Sequence, residues 1–408
     1  MSKIDDLIAK LCPNGVEYKK IGDVMTVARG ASPRPIQNYL TKSPNGIAWI
    51  KIGDVDPSSK YITSTAEKIT VSGATKSRYL KKGDFVLSNS MSFGRPYILD
   101  IDGCIHDGWI SMREFETSLD SDFLYHLLRT DRVQNIWKQK ASSGTVQNLN
   151  ADIVRATVIP VPPLEIQREI VNVLDTFTKL EAELEAELEA RRRQYHYYRD
   201  HLLNFEGRDD VQWMTLGEIG TLVRGNGMPK SDFEETGVGC IHYGQIYTYY
   251  GIWTAETISF IAKEKADKLA KVDHGDIIIT NTSENIDDVC KAVAWLGNYQ
   301  IVTGGHATVL KHDQNSKYIS YYLKTPAFFT EKKKYATGTK VIDVSAKNLG
   351  KIKIPVPPLE EQARIVAILD KFDALVNDLS SGLPAEIAAR HKQYEYYRNR
   401  LLTFKEAQ

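Results

Sequence analysis

The residues of this chain best suited to surface chemistry lie in short polar runs flanked by glycine and serine. In the N-terminal half they are Arg29 and Arg34 (RGASPR), Lys51 (WIKIGD), Ser88, Asn89, Ser90, Ser92 and Arg95, and Ser143, Thr145, Gln147 and Asn148 (SGTVQN). In the C-terminal half they are Arg224 and Lys230, His242, Tyr243 and Gln245 (IHYGQ), Thr280, Asn281 and Thr282, His306, and Thr339 with Lys340. Guanidinium and ammonium groups neutralise phosphates, while amides, hydroxyls and imidazoles match base edges. The set therefore suits contact with nucleic acid. The same residue types also make ordinary turns and solvated surface, and for any single residue both readings stand.

Covalent chemistry finds less support. There is no GxxxxGK phosphate loop followed by Ser or Thr, and no Asn/Asp-Pro-Pro-aromatic motif, since the prolines at 162–163 and 357–358 precede leucine. His196 and His201 are five apart, which is wrong for a helical zinc pair. No spacing of Ser, His and Asp favours a nucleophilic triad. The four cysteines (Cys12, Cys104, Cys240, Cys290) form no CxxC pair, which argues against a zinc site or a disulfide framework and fits a reducing cytosol. Lys plus Arg and Asp plus Glu both total 52, so any basic surface must be local. The start, MSKIDDLIAKLC, is too polar for a signal peptide, and no apolar run is long enough to span a bilayer. The expectation is a non-catalytic, cytoplasmic chain with no metal and no cofactor of its own.

The elements that position these loops are written twice. VPPLEIQREIVNVLDTF begins at Val161 and VPPLEEQARIVAILDKF at Val356, an offset of 356 − 161 = 195 residues. At that offset Gly22 meets Gly217, and Arg29-Gly30 meets Arg224-Gly225. Lys82-Gly83-Asp84 resembles His274-Gly275-Asp276, and each run leads through an apolar stretch to a polar triplet, Ser88-Asn89-Ser90 or Thr280-Asn281-Thr282. Matched loops hold different polar residues: Lys51 falls near His242, and Asp54 near Gln245. Short β-branched and aromatic runs (Ala48 to Ile52, Phe85 to Leu87, Ile277 to Thr280, Ala307 to Leu310) predict strands. Residues 122–140 and 317–335 have helical periodicity. Each half reads as an α+β domain, and residues 4–12 repeat the end of the first long helix.

Each half closes with a long amphipathic segment. The first has apolar positions Ile170, Leu174, Phe177, Leu180, Leu184, Leu188, Tyr195, Tyr198, Leu202 and Phe205, a seam for a partner helix. The second has Ile365, Leu369, Phe372, Val376, Leu379, Ile387, Tyr394, Tyr397, Leu401 and Phe404. LEAELEAELEA predicts an unbroken first helix, whereas Ser380-Ser381-Gly382-Leu383-Pro384 predicts a break in the second. The natural partner of each seam is the other; a homodimeric coiled coil is the alternative. Alternate tyrosines at the two ends predict one face in the helix packing and another free for a partner protein.

Two globular halves, each followed by a VPPLExQ helix ending in a tyrosine-rich run (Gln194 to Arg199, Gln393 to Arg398), resemble the specificity subunit of a type I restriction–modification enzyme over the whole chain. The resemblance implies two duplicated α+β target-recognition domains separated by two long antiparallel coiled-coil helices, with intrachain pseudo-twofold symmetry. The segments expected are 1–16, a short helix completing the repeat; 17–160 and 206–355, the target-recognition domains; and 161–205 and 356–408, the helical spacers. It implies that each domain reads half of a split double-stranded DNA site. The helices would fix the gap and dock two methyltransferase subunits that use S-adenosylmethionine, joined by restriction motor-nuclease subunits that use ATP and Mg. The tandem LEAE repeat suggests a tunable spacer. An assembly scaffold with two protein- or carbohydrate-binding domains is the competing reading.

Overall fold

A computed structural model describes residues 3–56, 59–89, 93–141 and 148–407. The chain divides into two compact units, one of Met1–Glu185 with Glu386–Gln408 and one of Ala186–Ala385.

The first unit holds two five-stranded sheets. One runs, in spatial order, Thr26–Arg29, Trp109–Arg113, Phe85–Ser88, Pro96–Leu99, Tyr61–Ile62; the other runs Leu40–Thr41, Glu67–Ile69, Ile47–Ile50, Gly103–Ile105, Arg78–Leu80. In the second unit the orders are Gly220–Arg224, Ala307–His312, Ile277–Thr280, Ala292–Trp295, Trp253–Thr254 and Phe233–Glu234, Ser259–Ile261, Val238–Ile241, Ile301–Thr303, Ala270–Val272. Strand for strand the two series correspond. Even the parallel pairings recur: Gly103–Ile105 on Ile47–Ile50 and Ile301–Thr303 on Val238–Ile241, Tyr61–Ile62 on Pro96–Leu99 and Trp253–Thr254 on Ala292–Trp295. The duplication seen as scattered sequence matches is thus a duplication of topology. Phe85–Ser88, Pro96–Leu99, Ile277–Thr280 and Ala292–Trp295 are buried at every position, which is why they read as continuous apolar runs rather than alternations.

The expected helices at 122–140 and 317–335 are each split in two: Ser121–Leu128 and Asp131–Ala141, Ser316–Tyr322 and Pro326–Lys333. At both breaks a buried threonine hydroxyl donates back three residues, Thr130 to the Leu127 carbonyl and Thr325 to the Tyr322 carbonyl, both at 2.7 Å. Pro326 then starts the second helix, where its missing N–H is not needed.

The first long helix runs unbroken from Leu164 to Leu202; the second is two helices, Leu359–Asn377 and Leu383–Leu401. Each unit takes one half of each segment. In the first, residues 164–185 run antiparallel to 386–401, with Phe177 stacked on Tyr397 at 5.2 Å and His391 Nδ1 2.8 Å from Glu181 Oε1. In the second, Tyr198 stacks on Phe372 at 5.2 Å and the Tyr195 hydroxyl donates to Asp373 Oδ1 at 3.4 Å. Tyr195 and Tyr394 are buried while Tyr197 and Tyr396 are exposed, so alternate tyrosines do face opposite ways. Leu379, expected in the seam, lies in the break and is 83% exposed, because the chain leaves helical geometry at Asp378.

The glutamine of VPPLExQ explains why that motif stands where it does. Gln167 is fully buried; it accepts from the Asp120 amide at 2.8 Å and donates to the carbonyls of Ser118 and Pro162. Gln362 accepts from the Asn315 amide at 3.0 Å and donates to the Pro357 carbonyl and Gln314 Oε1. Asp120 and Asn315 are the N-caps of Ser121–Leu128 and Ser316–Tyr322, so one amide locks the root of each long helix to the start of a domain helix. The N-terminal helix, Lys3–Leu11, packs Ile4 into the first unit's core, and Lys3 pairs with Glu169. Val16 is bracketed by the other end of the chain, donating to the Lys405 carbonyl and accepting from the Ala407 amide.

Candidate nucleic-acid interface

In both units one loop gathers candidate side chains: that joining Gly103–Ile105 to Trp109–Arg113 in the first and Ile301–Thr303 to Ala307–His312 in the second. A repeated Arg-Gly lies against it. A Cβ on Gly30 would overlap the His106 carbonyl oxygen, and one on Gly225 the Gly304 carbonyl oxygen, so only glycine permits the approach. That contact is the physical content of the Arg29-Gly30 and Arg224-Gly225 match.

Asp107 is the hub of the first unit's loop. Its carboxylate accepts from Ser32 Oγ at 3.0 Å and Arg34 at 3.1 Å, with His106 Nε2 at 2.9 Å. Its backbone carbonyl accepts from Arg29 Nε at 3.0 Å and Asn89 Nδ2 at 3.2 Å. Burial pushes the Asp107 carboxyl up, but Ser32, His106 and Arg34 together outweigh it and hold it below the usual carboxylate range. Arg34 and Lys51 line a groove of about 490 Å³ with Trp49 and Glu67, and Lys51 Nζ pairs with Glu67 at 3.0 Å.

The second unit fills the corresponding place with imidazoles and a tyrosine. His306 has φ +68 and an exposed ring; its Nδ1 is 2.9 Å from Thr282 Oγ1, and its ring centroid is 4.9 Å from that of Tyr243. Tyr243 in turn is 4.4 Å from His242. Burial, then Lys230 and His306, push the His242 pKa down, which favours the neutral ring. Thr282–Ser283 pairs with Ile342–Asp343, whose hairpin carries exposed Thr339 and Lys340. Arg224 reaches Asp343 at 3.9 Å.

Several candidates have internal partners. Ser88, Asn89, Thr280 and Asn281 are buried. The two asparagines occupy one structural position: Asn89 N–H donates to the Gly108 carbonyl and Asn281 N–H to the His306 carbonyl, while their own carbonyls accept from Leu149 and Val344. Asn281 also donates Nδ2 to the Val344 carbonyl at 2.7 Å and accepts from Thr308 Oγ1 at 2.8 Å. The two asparagines therefore tie the hub loop to the segment behind it. Gln245 faces inward as well, with Oε1 accepting from the His242 amide and Nε2 donating to Ser259; Asp54 does the same for the Lys51 amide. Arg95, Asn148 and Lys230 are exposed. Ser90, Ser92, Ser143, Thr145 and Gln147 lie outside the described residues.

Sequence reasoning missed Asp107, His106, Ser32 and Asp343. The signal was present in the strand-flanked HDG and GGH tripeptides, which differ too much to align by eye.

Two copies of one mixed-sheet domain, each tied to halves of two long helices, define a duplicated specificity architecture. The chain matches the type I restriction modification DNA specificity domain family over residues 13–190 and again over 208–389, and it belongs to that family. It is 37% identical over 252 residues to a type I restriction enzyme specificity subunit of Escherichia coli, covering 60% of this chain and 61% of that one. It is 30% identical over 297 residues to a protein of Haemophilus influenzae assigned, by its name, as a type I restriction enzyme specificity subunit, covering 70% and 73%. Two solved structures share the fold at 20% identity. One, described as the structural basis of complex assembly and conformational transition of the type I R-M system, has a TM-score of 0.67 and coverage of 96% and 98%; the other, the HsdS subunit of Thermoanaerobacter tengcongensis, has a TM-score of 0.51 and coverage of 96% of each chain.

Proposed function

We propose that this specificity chain reads a two-block DNA site, one block per unit, and so aims a methyltransferase and a nuclease that are other subunits of its complex. The observation that carries the reading is the contrast within the repeat. Strand order and the asparagine ties are shared, while the side chains offered at the hub loop are Asp107 with arginines in one unit and His306 with Tyr243 in the other. One scaffold with two reading chemistries is what a site of two unlike blocks requires. Buried Asn89 and Asn281 then hold the reading loops, and exposed Arg29, Arg34, Lys230, His306 and Lys340, with half-buried Thr282, are the groups that reach DNA.

The partners in this reading are two methyltransferase subunits binding S-adenosylmethionine and motor-nuclease subunits using ATP and Mg, assembled in the cytoplasm. The exposed tyrosines Tyr197 and Tyr396 are suited to an interface with such a partner. Among the described residues no helix is long and apolar enough to cross a membrane.

The test is single-molecule sequencing for N6-methyladenine in DNA from cells expressing the cognate methyltransferase with and without this chain. Two short defined blocks around a fixed undefined gap, present only with the chain, are expected. Methylation that is the same in both cultures would overturn the proposal and favour an assembly scaffold. Exchanging residues 17–160 for those of another specificity chain should then replace one block and leave the other.

A further inference from the structure

We propose that Arg34, held by Asp107, reads a guanine in the DNA block taken by the first unit. This rests on the two-block reading above.

The guanidinium is a fork with five donors, and guanine offers O6 and N7 side by side in the major groove. An arginine serves that pair well only when its plane is fixed. Arg34 has an 82% exposed side chain, yet among the described residues it is tethered at one NH2 by Asp107. An exposed ion pair of this kind contributes little stability; what it provides is direction. Asp107 is itself immobilised by Ser32 and His106, and its backbone by Arg29 and Asn89. One NH2 is thus engaged, and an 82% exposed side chain leaves further donors open to solvent.

Charge balance points the same way. Arg78 Nε donates to the Arg29 carbonyl at 2.7 Å, beside Arg29's own bond to the Asp107 carbonyl. Arg34 is thus bonded to the Asp107 carboxylate, while the Arg29 and Arg78 guanidinium groups are bonded to backbone carbonyls of the same region. Backbone carbonyls carry no net charge, so the guanidinium groups of Arg29 and Arg78 keep theirs, as a site against phosphates needs. The second unit has Gly304-Gly305-His306 at this loop, with no carboxylate, so the device belongs to one block.

The experiment expresses Arg34→Ala, Arg34→Lys and Asp107→Asn chains with the cognate methyltransferase and sequences N6-methyladenine genome-wide. Arg34→Ala should relax a single guanine position of one block, lowering discrimination there on the order of tenfold or more. Arg34→Lys keeps the charge but not the fork and should relax the same position; Asp107→Asn should do so more weakly. The second block and the gap should be unchanged, which also certifies that each variant folds and assembles. An unchanged first block in Arg34→Ala, relaxation at a position that is not guanine, or methylation lost wholesale from both Arg34 variants would overturn the assignment. Absence of any two-block motif with the wild-type chain would instead overturn the reading on which it rests.

Discussion

A buried histidine in one unit and a tyrosine in the other show how far single side chains have diverged on a shared frame. His126 is buried, with Nδ1 2.9 Å from the Tyr394 hydroxyl and Nε2 3.0 Å from Asp175 Oδ1. Burial lowers its pKa against the pull of Asp175, with Lys60 and Arg129 adding to the lowering. In the neutral ring Nε2 donates to the Asp175 carboxylate and Nδ1 accepts a hydrogen bond from the Tyr394 hydroxyl. In the second unit Tyr321 stands in this place and donates to Asp370 at 2.8 Å, and burial lifts its hydroxyl far above neutrality. Below about pH 6.5 an unfolded His126 binds a proton that the folded ring resists. Stability therefore falls as pH drops through that value and is restored above it. Melting should decline between pH 7 and 5.5, and His126→Gln should flatten the decline; His196, His242 and His312, also lowered mainly by burial, supply the remainder. Equal slopes for variant and wild type would count against this account. The buried asparagines make a second case. Asn281→Ala orphans the Val344 carbonyl and the Thr308 hydroxyl and should cost about 2 kcal/mol in denaturant titration, whereas Thr282→Ala at the half-buried surface should cost little and alter only the second block.

At the scale of elements, the long helices differ where the sequence differs. The LEAE run has an intact ladder and strong helix formers. The break at Asp378 is a built turn: the Asp378 carboxylate accepts from the Ser380 amide at 2.7 Å and from the hydroxyls of Ser380 and Ser381, which hold its pKa at about 2. Gly382 sits against three carbonyl oxygens, and an added Cβ would lie 2.5 Å from that of Ala374. Gly382→Ala should therefore destabilise the second unit by roughly 1–3 kcal/mol in thermal melts, with both DNA blocks retained. In the first helix, removing Leu184 to Glu187 shortens it by about 6 Å. The gap in the methylated motif should change by about one or two base pairs while both blocks stay the same; an unchanged gap with an altered block would defeat the spacer idea.

At the scale of the molecule, the second compact unit is one continuous stretch, Ala186–Ala385, while the first is closed by a distant segment, Glu386–Gln408. The first unit's core contains Ile166, Ile170 and Leu174 from one long helix and Tyr394 and Leu402 from the far end of the chain. Deleting residues 386–408 should therefore destabilise the first unit on the order of 5 kcal/mol, the combined cost of losing two large buried side chains. That is comparable to the whole stability of many domains. Limited proteolysis should cleave within residues 17–160 first, and spare 206–355, whose unit keeps its own helix halves. Equal protease resistance in both would show that the C-terminal helix is dispensable to the core.

Much of this was fixed by sequence alone, because it depends on local rules. The 195-residue repeat, the uninterrupted LEAE helix, the break before Pro384 and the apolar strands follow from propensity, periodicity and punctuation, which act over a few residues. Alternation of the tyrosines was legible for the same reason. The tertiary structure decided what those rules do not reach. It turned Ser88, Thr280 and the two asparagines inward, because a polar residue after an apolar strand points out only if no buried carbonyl needs it. It made Asp107 a hub by bringing Ser32 and Arg34 within hydrogen-bonding distance from some seventy residues away. It also divided the first long helix, and the two helices of the second segment, between two cores, since burial is decided by neighbours in space and the chain records only neighbours in order.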